Sequence, residues 1–266
     1  MLQSRPMARD EAAGRTAPPS ELSRGMARGS AAFLDGALAN PALLPAHLLL
    51  MLRNPSVTSA LIARVSRSPF WMRSHRLRQA IALHPRSPRA TVMGLLSFLR
   101  WGDLARVAAS PFPAASVRAA AERILLVRLP EMATGERVSL ARIATATVVR
   151  GLRSDDHPLG VRAVLQNPQA RVEDALFIAA RPESAGPILR SLAESRRFVE
   201  HQEVRLLLAL HPSTPKATAL RMLSTLDVAG LTLVAASDKV PRLVRVAAER
   251  RLSAELLEGP SVRSQI

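Results

Sequence analysis

The chain of 266 residues contains no cysteine and no tyrosine, and its other aromatic residues are two Trp and six Phe. The absence of cysteine excludes disulfides, thiolate zinc sites, cysteine-ligated iron–sulfur clusters and cysteine nucleophiles. No run reaches the roughly 18 apolar residues that a membrane span requires, and the first residues lack the apolar core of a signal peptide. We therefore expect a soluble, cytoplasmic protein with no membrane partner.

What the chain has instead is Ala, Leu, Val and Arg, which are residues that favour helices. Asn, His or Ser is repeatedly followed by Pro, and proline disfavours helical dihedral angles in the residue before it, so each pair predicts a helix end. Between these pairs the apolar residues recur at helical spacing, and alternating strand patterns are absent. The pairs are Asn40-Pro41, Asn54-Pro55, His84-Pro85, Ser110-Pro111, Asn167-Pro168 and His211-Pro212.

Residues from about 34 to 125 recur, without a gap, as residues from about 161 to 252. Ala82-Leu83-His84-Pro85 returns as Ala209-Leu210-His211-Pro212, and Ala120-Ala121-Glu122-Arg123 returns as Ala247-Ala248-Glu249-Arg250. A long repeated unit made of shorter similar units is typical of stacked-repeat proteins. The sequence therefore predicts an all-α fold, an α-solenoid of stacked short helices built from an internal duplication.

The predicted layout has a disordered basic tail over residues 1–30, because arginines there alternate with Pro, Gly, Ser and acids. One solenoid domain follows over residues 31–256, in which linking helices over 126–160 join the two copies. Residues 257–266 are predicted to be a flexible tail.

The His/Asn-Pro-x-Ser/Thr-Pro steps, the Leu-rich helices and the Val-Arg-x-Ala-Ala-Glu-Arg helix ends resemble the HEAT-like and leucine-rich-repeat-variant solenoids of bacteria. The resemblance covers roughly residues 34–252. It implies the architecture and carries over no functional residue. One member of the variant family has an iron–sulfur domain, which this chain, lacking cysteine, cannot reproduce with thiolates.

His84, His211 and Asp103 have side chains that could bind a metal or transfer a proton, but we interpret all three as structural. His84 and His211 stand where other repeats have Asn or Ser, and the property these side chains share is hydrogen bonding to nearby backbone at a turn. We expect them to serve the turns rather than to bind metal or move protons. Asp103, after Trp101-Gly102, is expected to cap a helix that begins at Leu104.

The positive charge is unevenly placed. Residues 53–128 hold thirteen Arg and two acids, a net of +11 out of +16 for the whole chain, whereas residues 180–255 hold ten Arg, two Lys and eight acids, a net of +4. Arg67, Arg73 and Arg76 stand where the second copy has glutamates. Such a surface attracts phosphates or an acidic protein. The predicted partner- or phosphate-binding residues are Arg67, Arg73, Arg76, Arg78, Arg64 and Trp71.

Two functions remain open. The first is a non-enzymatic scaffold that holds a protein partner in its groove or on its basic face. The alternative is a nucleic-acid-binding protein, in the manner of HEAT-like DNA-repair proteins, with the same arginines on phosphates. No GxxxxGK[ST], GxSxG or HExxH pattern occurs, so we expect no enzymatic activity, cofactor or metal.

Overall fold

The computed structural model describes residues 4–258, and every regular element within that range is helical. No strand occurs among these residues, which confirms the all-α prediction. The chain divides into two compact units between Arg128 and Leu129, and each is described separately.

The first unit consists of short helices joined by tight turns, most of which contain proline. Two single-turn 3₁₀ helices, Trp71–Arg73 and Leu96–Phe98, interrupt the series. Side-chain caps start several of the helices, as where the Thr58 hydroxyl accepts a hydrogen bond from the backbone N–H of Leu61. The α-helices are α1 (Ser4–Thr16), α2 (Pro19–Arg28), α3 (Ala31–Ala37), α4 (Pro45–Met51), α5 (Ser59–Ser66), α6 (His75–Leu83), α7 (Arg89–Leu95), α8 (Trp101–Ala109) and α9 (Ala115–Arg128).

The second unit has the same character and begins with a 3₁₀ turn over Leu129–Glu131. Its α-helices are α10 (Thr134–Ile143), α11 (Ala146–Leu152), α12 (Pro158–Gln166), α13 (Val172–Ala180), α14 (Gly186–Ala193), α15 (Arg196–Val199), α16 (Gln202–Leu210), α17 (Lys216–Leu223), α18 (Val228–Ala235) and α19 (Arg242–Glu258).

Several helices of the two units begin at one constant interval along the sequence. Helices α5, α6 and α7 begin at Ser59, His75 and Arg89, and helices α14, α16 and α17 begin at Gly186, Gln202 and Lys216, with the same interval in all three pairs. That interval also separates the start of α2 from the start of α11. Residues of the two units that lie this interval apart are called equivalent below. The recurrence of helix positions therefore extends N-terminal to the recurrence visible in the residues.

The prediction of a disordered tail over residues 1–30 is wrong for residues 4–28, which form α1 and α2. Leu22 and Met26 lie one turn apart on α2 and are fully buried in the core of the first unit. Burying two such side chains contributes about 1.5–3 kcal/mol each. Four of the arginines that suggested disorder, Arg9, Arg15, Arg24 and Arg28, are exposed on these helices.

Close contact between α1 and α3 depends on two glycines. A Cβ atom added to Gly36 would collide with the backbone carbonyl of Glu11, and one added to Gly14 would collide with the carbonyl of Phe33. Any larger residue at these positions would force the helices apart. Gly14, which lies in the segment predicted to be disordered, therefore serves helix packing, as does Gly36.

The single domain predicted over residues 31–256 divides into two compact units, and residues 129–160 of the segment predicted to link the copies belong to the second unit. Helix α10 contacts α12, and α11 contacts both α10 and α12. At the other end, α19 includes residues 257 and 258 of the predicted flexible tail. The remainder of that tail, residues 259–266, lies outside the described residues.

Buried asparagines connect successive helical steps within the first unit. The Asn40 side-chain amide donates to the carbonyls of Gly14 and Ala17, at 3.0 and 2.9 Å, where α1 ends. Its carbonyl oxygen accepts from the backbone N–H of Ala42 at 2.8 Å. Helix ends leave carbonyls without intrahelical partners, and this one side chain satisfies two of them while it also holds its own turn.

The second unit repeats this arrangement at Asn167, the residue equivalent to Asn40. Asn167 donates to the carbonyls of Ala141 and Ala144, at 2.6 and 3.0 Å, and accepts from the N–H of Gln169 at 2.7 Å. In the first unit, Asn54 does the same for the end of α2 by donating to the Met26 and Gly29 carbonyls. The Asn-Pro pairs are therefore tertiary contacts as well as helix stops.

We predict that Asn167→Ala lowers the free energy of unfolding by about 2–3 kcal/mol, because two buried carbonyls and one turn N–H lose their partner. Chemical denaturation followed by circular dichroism measures the change. Gln166→Ala is the matched control, since Gln166 is an exposed amide at the preceding residue, and it should shift stability by no more than about 0.5 kcal/mol. Equal effects of the two substitutions would contradict a special role for Asn167.

Candidate functional site

The segment that follows α5 carries most of the predicted binding residues. Arg67 is the C-terminal cap residue of α5, and Arg73 ends the 3₁₀ turn that begins at Trp71. Ser74 then caps α6 by accepting a hydrogen bond from the N–H of Leu77. Because the helix restarts there, Arg78 lies one turn into α6 and returns toward the same region as Arg67 and Arg73.

Three of the six predicted residues, Arg67, Arg73 and Arg78, line one groove of about 530 Å³. Helix α7 and the 3₁₀ turn after it form the other wall. Most of the remaining lining is apolar, and Ser66 and Thr91 add two hydroxyls. These other lining residues are Ser66, Pro69, Met72, Ala90, Thr91, Gly94, Leu95 and Phe98.

No carboxylate lines this groove, and its arginines form no ion pair with any residue in the described range 7–255. Arg67 and Arg73 are exposed, whereas Arg78 is partly buried and its Nε atom is shielded from solvent without a hydrogen-bond partner. Burying a cationic group without a partner is costly. The groove therefore holds three positive charges that the fold itself does not neutralise.

The other three predicted residues lie elsewhere. Arg64 pairs with Asp35 at 2.7 Å, and Arg76 is exposed on α6 but does not line the groove. Trp71 packs against the core of the first unit and contacts the Phe70 ring edge to face, with 4.7 Å between centroids. Half of the six predicted binding residues therefore lie together in the groove.

Two phenylalanines that are not in the predicted set of binding residues are exposed. Phe70 and Phe98 expose 61% and 62% of their surface, and Phe98 is part of the groove lining. No sequence signal separates them from buried phenylalanines, because Phe198 in the second unit is 1% exposed.

The second unit has a different set of side chains at the positions equivalent to the groove. Glu194 and Glu200 are equivalent to Arg67 and Arg73, and Arg221 is equivalent to Gly94. Arg205 is equivalent to Arg78, but it donates to the carbonyls of Val199 and Glu200, at 3.1 and 2.8 Å. Helices with equivalent starting positions therefore form without arginine at the places of Arg67 and Arg73, so the fold does not require those two groove arginines.

Many arginines outside the groove are engaged by the fold. Arg86 donates to the carbonyls of Pro55 and Val57, Arg118 to that of Pro113, and Arg128 to that of Leu99. The prediction of a basic surface counted all thirteen arginines of residues 53–128 alike. The structure separates those that satisfy backbone carbonyls from those that remain open to a ligand.

The prediction that His84 and His211 serve turns is confirmed. The Nδ1 atom of His84 accepts from the N–H of Arg86 at 3.0 Å, and that of His211 accepts from the N–H of Ser213 at 3.1 Å. The Nε2 atom of His211 also lies 3.0 Å from the Arg181 carbonyl. The side-chain amides of the buried asparagines contact carbonyls of an earlier helix end in a similar way. Both histidines are thus part of the contacts between helical steps.

The prediction for Asp103 is wrong in detail. Helix α8 begins at Trp101, so Asp103 lies in its first turn rather than at its cap. Its carboxylate is buried and lies 2.9 Å from Nε2 of His75, at the start of α6. A carboxylate is favourable in the first turn of a helix, and here it also ties α8 to α6.

Within the described residues, no group of three or more His, Asp or Glu side chains is arranged to hold a metal ion. None of the helices described is long and apolar enough to cross a bilayer. Comparison of the chain with protein-family models, with curated proteins and with solved structures gives no match. Interpretation of the groove therefore depends on its own geometry and charge.

His84 should make the stability of the protein depend on pH. Burial lowers the pKa of His84 from its ordinary value of 6.5, the neighbouring Arg86 adds to this effect, and the Leu52 carbonyl opposes it. The unfolded chain therefore binds a proton more readily than the folded one, so stability falls as pH drops from about 6.5 through the lower pKa of the folded state.

We predict that His84→Asn removes this dependence of stability on pH. The uncharged side chain of asparagine makes the same kind of turn hydrogen bond at Asn40, Asn54 and Asn167. The measurement is the free energy of unfolding between about pH 5 and pH 7.5, compared with wild type. His201→Asn, at an exposed histidine that makes no capping hydrogen bond, should leave the dependence in place. Parallel curves for wild type and His84→Asn would contradict the prediction.

Proposed function

We propose that this chain is a non-enzymatic binding protein that holds an acidic segment of a protein partner in the groove lined by Arg67, Arg73 and Arg78. The observation that carries the proposal is the set of three arginines without carboxylate partners above an apolar floor. A segment with both carboxylates and apolar side chains complements such a lining. Charge complementarity of this kind favours encounter and fixes orientation.

The lining supports binding rather than catalysis. It contains no carboxylate or histidine that would serve as a general base, and its polar atoms are guanidinium donors and two hydroxyls. Known reaction types need a nucleophile, base or metal placed against an electrophile. The groove offers charge neutralisation and apolar contact, which are the requirements of recognition.

We propose further that the chain is a stacked-repeat protein derived from an internal duplication, with one copy specialised for binding. The constant interval between helix starts in the two units supports the duplication. So do the equivalent hydrogen bonds of Asn40 and Asn167 to the preceding helix end. Specialisation is supported by Arg67 and Arg73, which are Glu194 and Glu200 in the other copy.

Nucleic-acid binding is the second candidate, and the exposed rings of Phe70 and Phe98 favour it. Aromatic side chains beside arginines stack on unpaired bases while the arginines contact phosphates. The two candidates differ in salt dependence, because each phosphate contact contributes about one power of salt concentration to the binding constant. A segment held partly by apolar contacts shows a shallower slope.

We predict that Arg67→Glu/Arg73→Glu weakens binding of a fluorescent peptide of alternating Glu and Leu at least tenfold, since two charge-assisted hydrogen bonds of about 1.5–3 kcal/mol each are lost. Fluorescence anisotropy measures the dissociation constant. The control Arg53→Glu/Arg76→Glu changes the net charge equally at exposed residues outside the groove, and it should weaken binding no more than about threefold.

Fluorescent single-stranded DNA and RNA are titrated in parallel across a salt series. Tight binding with a steep salt slope, lost in Arg67→Glu/Arg73→Glu, would replace the protein-partner proposal with the nucleic-acid one. Equal loss of peptide binding in the groove variant and in its control would show that binding depends on general charge attraction and not on the groove. That result would overturn the proposals that place a protein segment or a nucleic acid in the groove.

A further inference from the structure

The groove offers more than positive charge, and its composition narrows the ligand. We propose that it recognises a phosphorylated side chain on the partner segment together with an apolar side chain close to it in the same segment. This inference rests on the proposed function, because it names the chemistry of the segment that the groove holds. Four properties of the described residues carry it.

The first property is the number of unpaired guanidinium groups. One arginine can satisfy both oxygens and the single charge of a carboxylate, in a bidentate pair. A phosphate monoester carries nearly two charges at neutral pH and three acceptor oxygens. Arg67, Arg73 and Arg78, with the hydroxyl of Thr91 in the same lining, therefore match a phosphate monoester better than one carboxylate.

The second property is the partly buried state of Arg78. The Nε atoms of Arg78 and of the equivalent Arg205 are both shielded from solvent without a hydrogen-bond partner. The two arginines differ at Nη1, which in Arg205 donates to two carbonyls and in Arg78 makes no such contact within the part of the chain that the structure describes. A cation left with unused donors in a partly dry site gains most from a doubly charged ligand. Arg78 is thus the donor we expect at the inner end of the groove.

The third property is the apolar floor. Met72, Leu95 and Pro69 line the groove beside the arginines, and Leu95 is buried. Free inorganic phosphate would leave this surface in contact with water. A volume of about 530 Å³ is within the ordinary range of ligand pockets and accommodates a phosphorylated side chain with an apolar neighbour.

The fourth property is the glycine in the wall. A Cβ atom placed on Gly94 would meet no atom within 4 Å, so close packing does not require glycine there. Glycine nonetheless weakens a helix relative to alanine, and Gly94 lies inside α7. The absence of a side chain keeps the groove open, whereas the second unit has Arg221 at this place.

The groove favours a protein segment over a lipid surface. Peripheral proteins contact a bilayer through apolar side chains that protrude into it. Of the apolar lining residues Phe98 is exposed in this way, but Leu95 is buried and Met72 is partly buried. A concave site with charges above an apolar floor receives a ligand that projects into it. A phosphorylated side chain on an extended segment projects in this way.

The test uses the full-length protein and three short fluorescent peptides that differ at one residue. The central residue is phosphothreonine, glutamate or threonine, with Leu on both sides and Gly and Ser elsewhere. We expect the phosphothreonine peptide to bind at least tenfold more tightly than the glutamate peptide, and the threonine peptide to bind weakest. Fluorescence anisotropy at near-physiological salt gives the three dissociation constants.

Two substitutions at one position test whether the groove is the binding site. Gly94→Gln places a long uncharged side chain where the second unit has Arg221 and should reduce phosphothreonine peptide binding at least tenfold by filling the groove. Gly94→Ala adds a Cβ atom that meets nothing and should leave binding within about twofold of wild type. Circular dichroism verifies that both variants fold. Arg78→Gln, which removes the charge while keeping a polar side chain, provides an independent reduction should Gly94→Gln unfold.

The outcomes separate this inference from the proposed function. Equal binding of the phosphothreonine and glutamate peptides, lost in Gly94→Gln, overturns the phosphate inference and leaves the acidic-segment proposal standing. Binding of none of the three peptides overturns both. Stronger binding to vesicles that contain phosphatidylserine than to any peptide would assign the site to a membrane surface and overturn the inference as well.

Discussion

A chain made of many short helices must satisfy the backbone carbonyls at the end of each one, and this requirement governs the structure. Every helix end leaves carbonyls that have no partner within the helix, and an unsatisfied buried carbonyl costs about 1–3 kcal/mol. Asn40, Asn54 and Asn167 meet the requirement by donating to the end of an earlier helix. Each contact closes a helix end and fixes the spacing to the next step.

The same requirement explains why so much arginine does not amount to a uniformly basic surface. Arg197 donates to the carbonyls of Asn167 and Ala170, and Arg181 donates to that of Ser154. The long, forked guanidinium reaches across one helical step and satisfies more than one acceptor. These arginines are structural, whereas Arg67, Arg73 and Arg78 make no such contacts among the described residues and line one groove together.

Sequence patterns anticipated the local structure well and the packing poorly. The Asn-Pro and His-Pro pairs predicted helix ends and the turn role of His84 because both are set by residues close in sequence. They gave no indication that Asn40 reaches Gly14 or that Leu22 is fully buried. The helices over residues 4–28 were missed because composition averages over a segment, whereas two apolar side chains one turn apart suffice when a neighbouring helix covers them.

The candidate site shows the same division between local pattern and packing. The sequence showed an excess of positive charge around Arg67. It did not show which arginines face a groove, because Arg76 differs from Arg78 only by its position on the face of α6.

The second unit acts as an internal control on the first. Its helices begin at equivalent positions, yet it carries Glu194, Glu200 and Arg221 where the first unit has Arg67, Arg73 and Gly94. Residues that the architecture needs, such as Asn40 and Asn167, are the same in both. Arg67 and Arg73, which are glutamates in the second unit, are free of that structural need, and a ligand that the first unit alone receives best explains the positive charge at these two places.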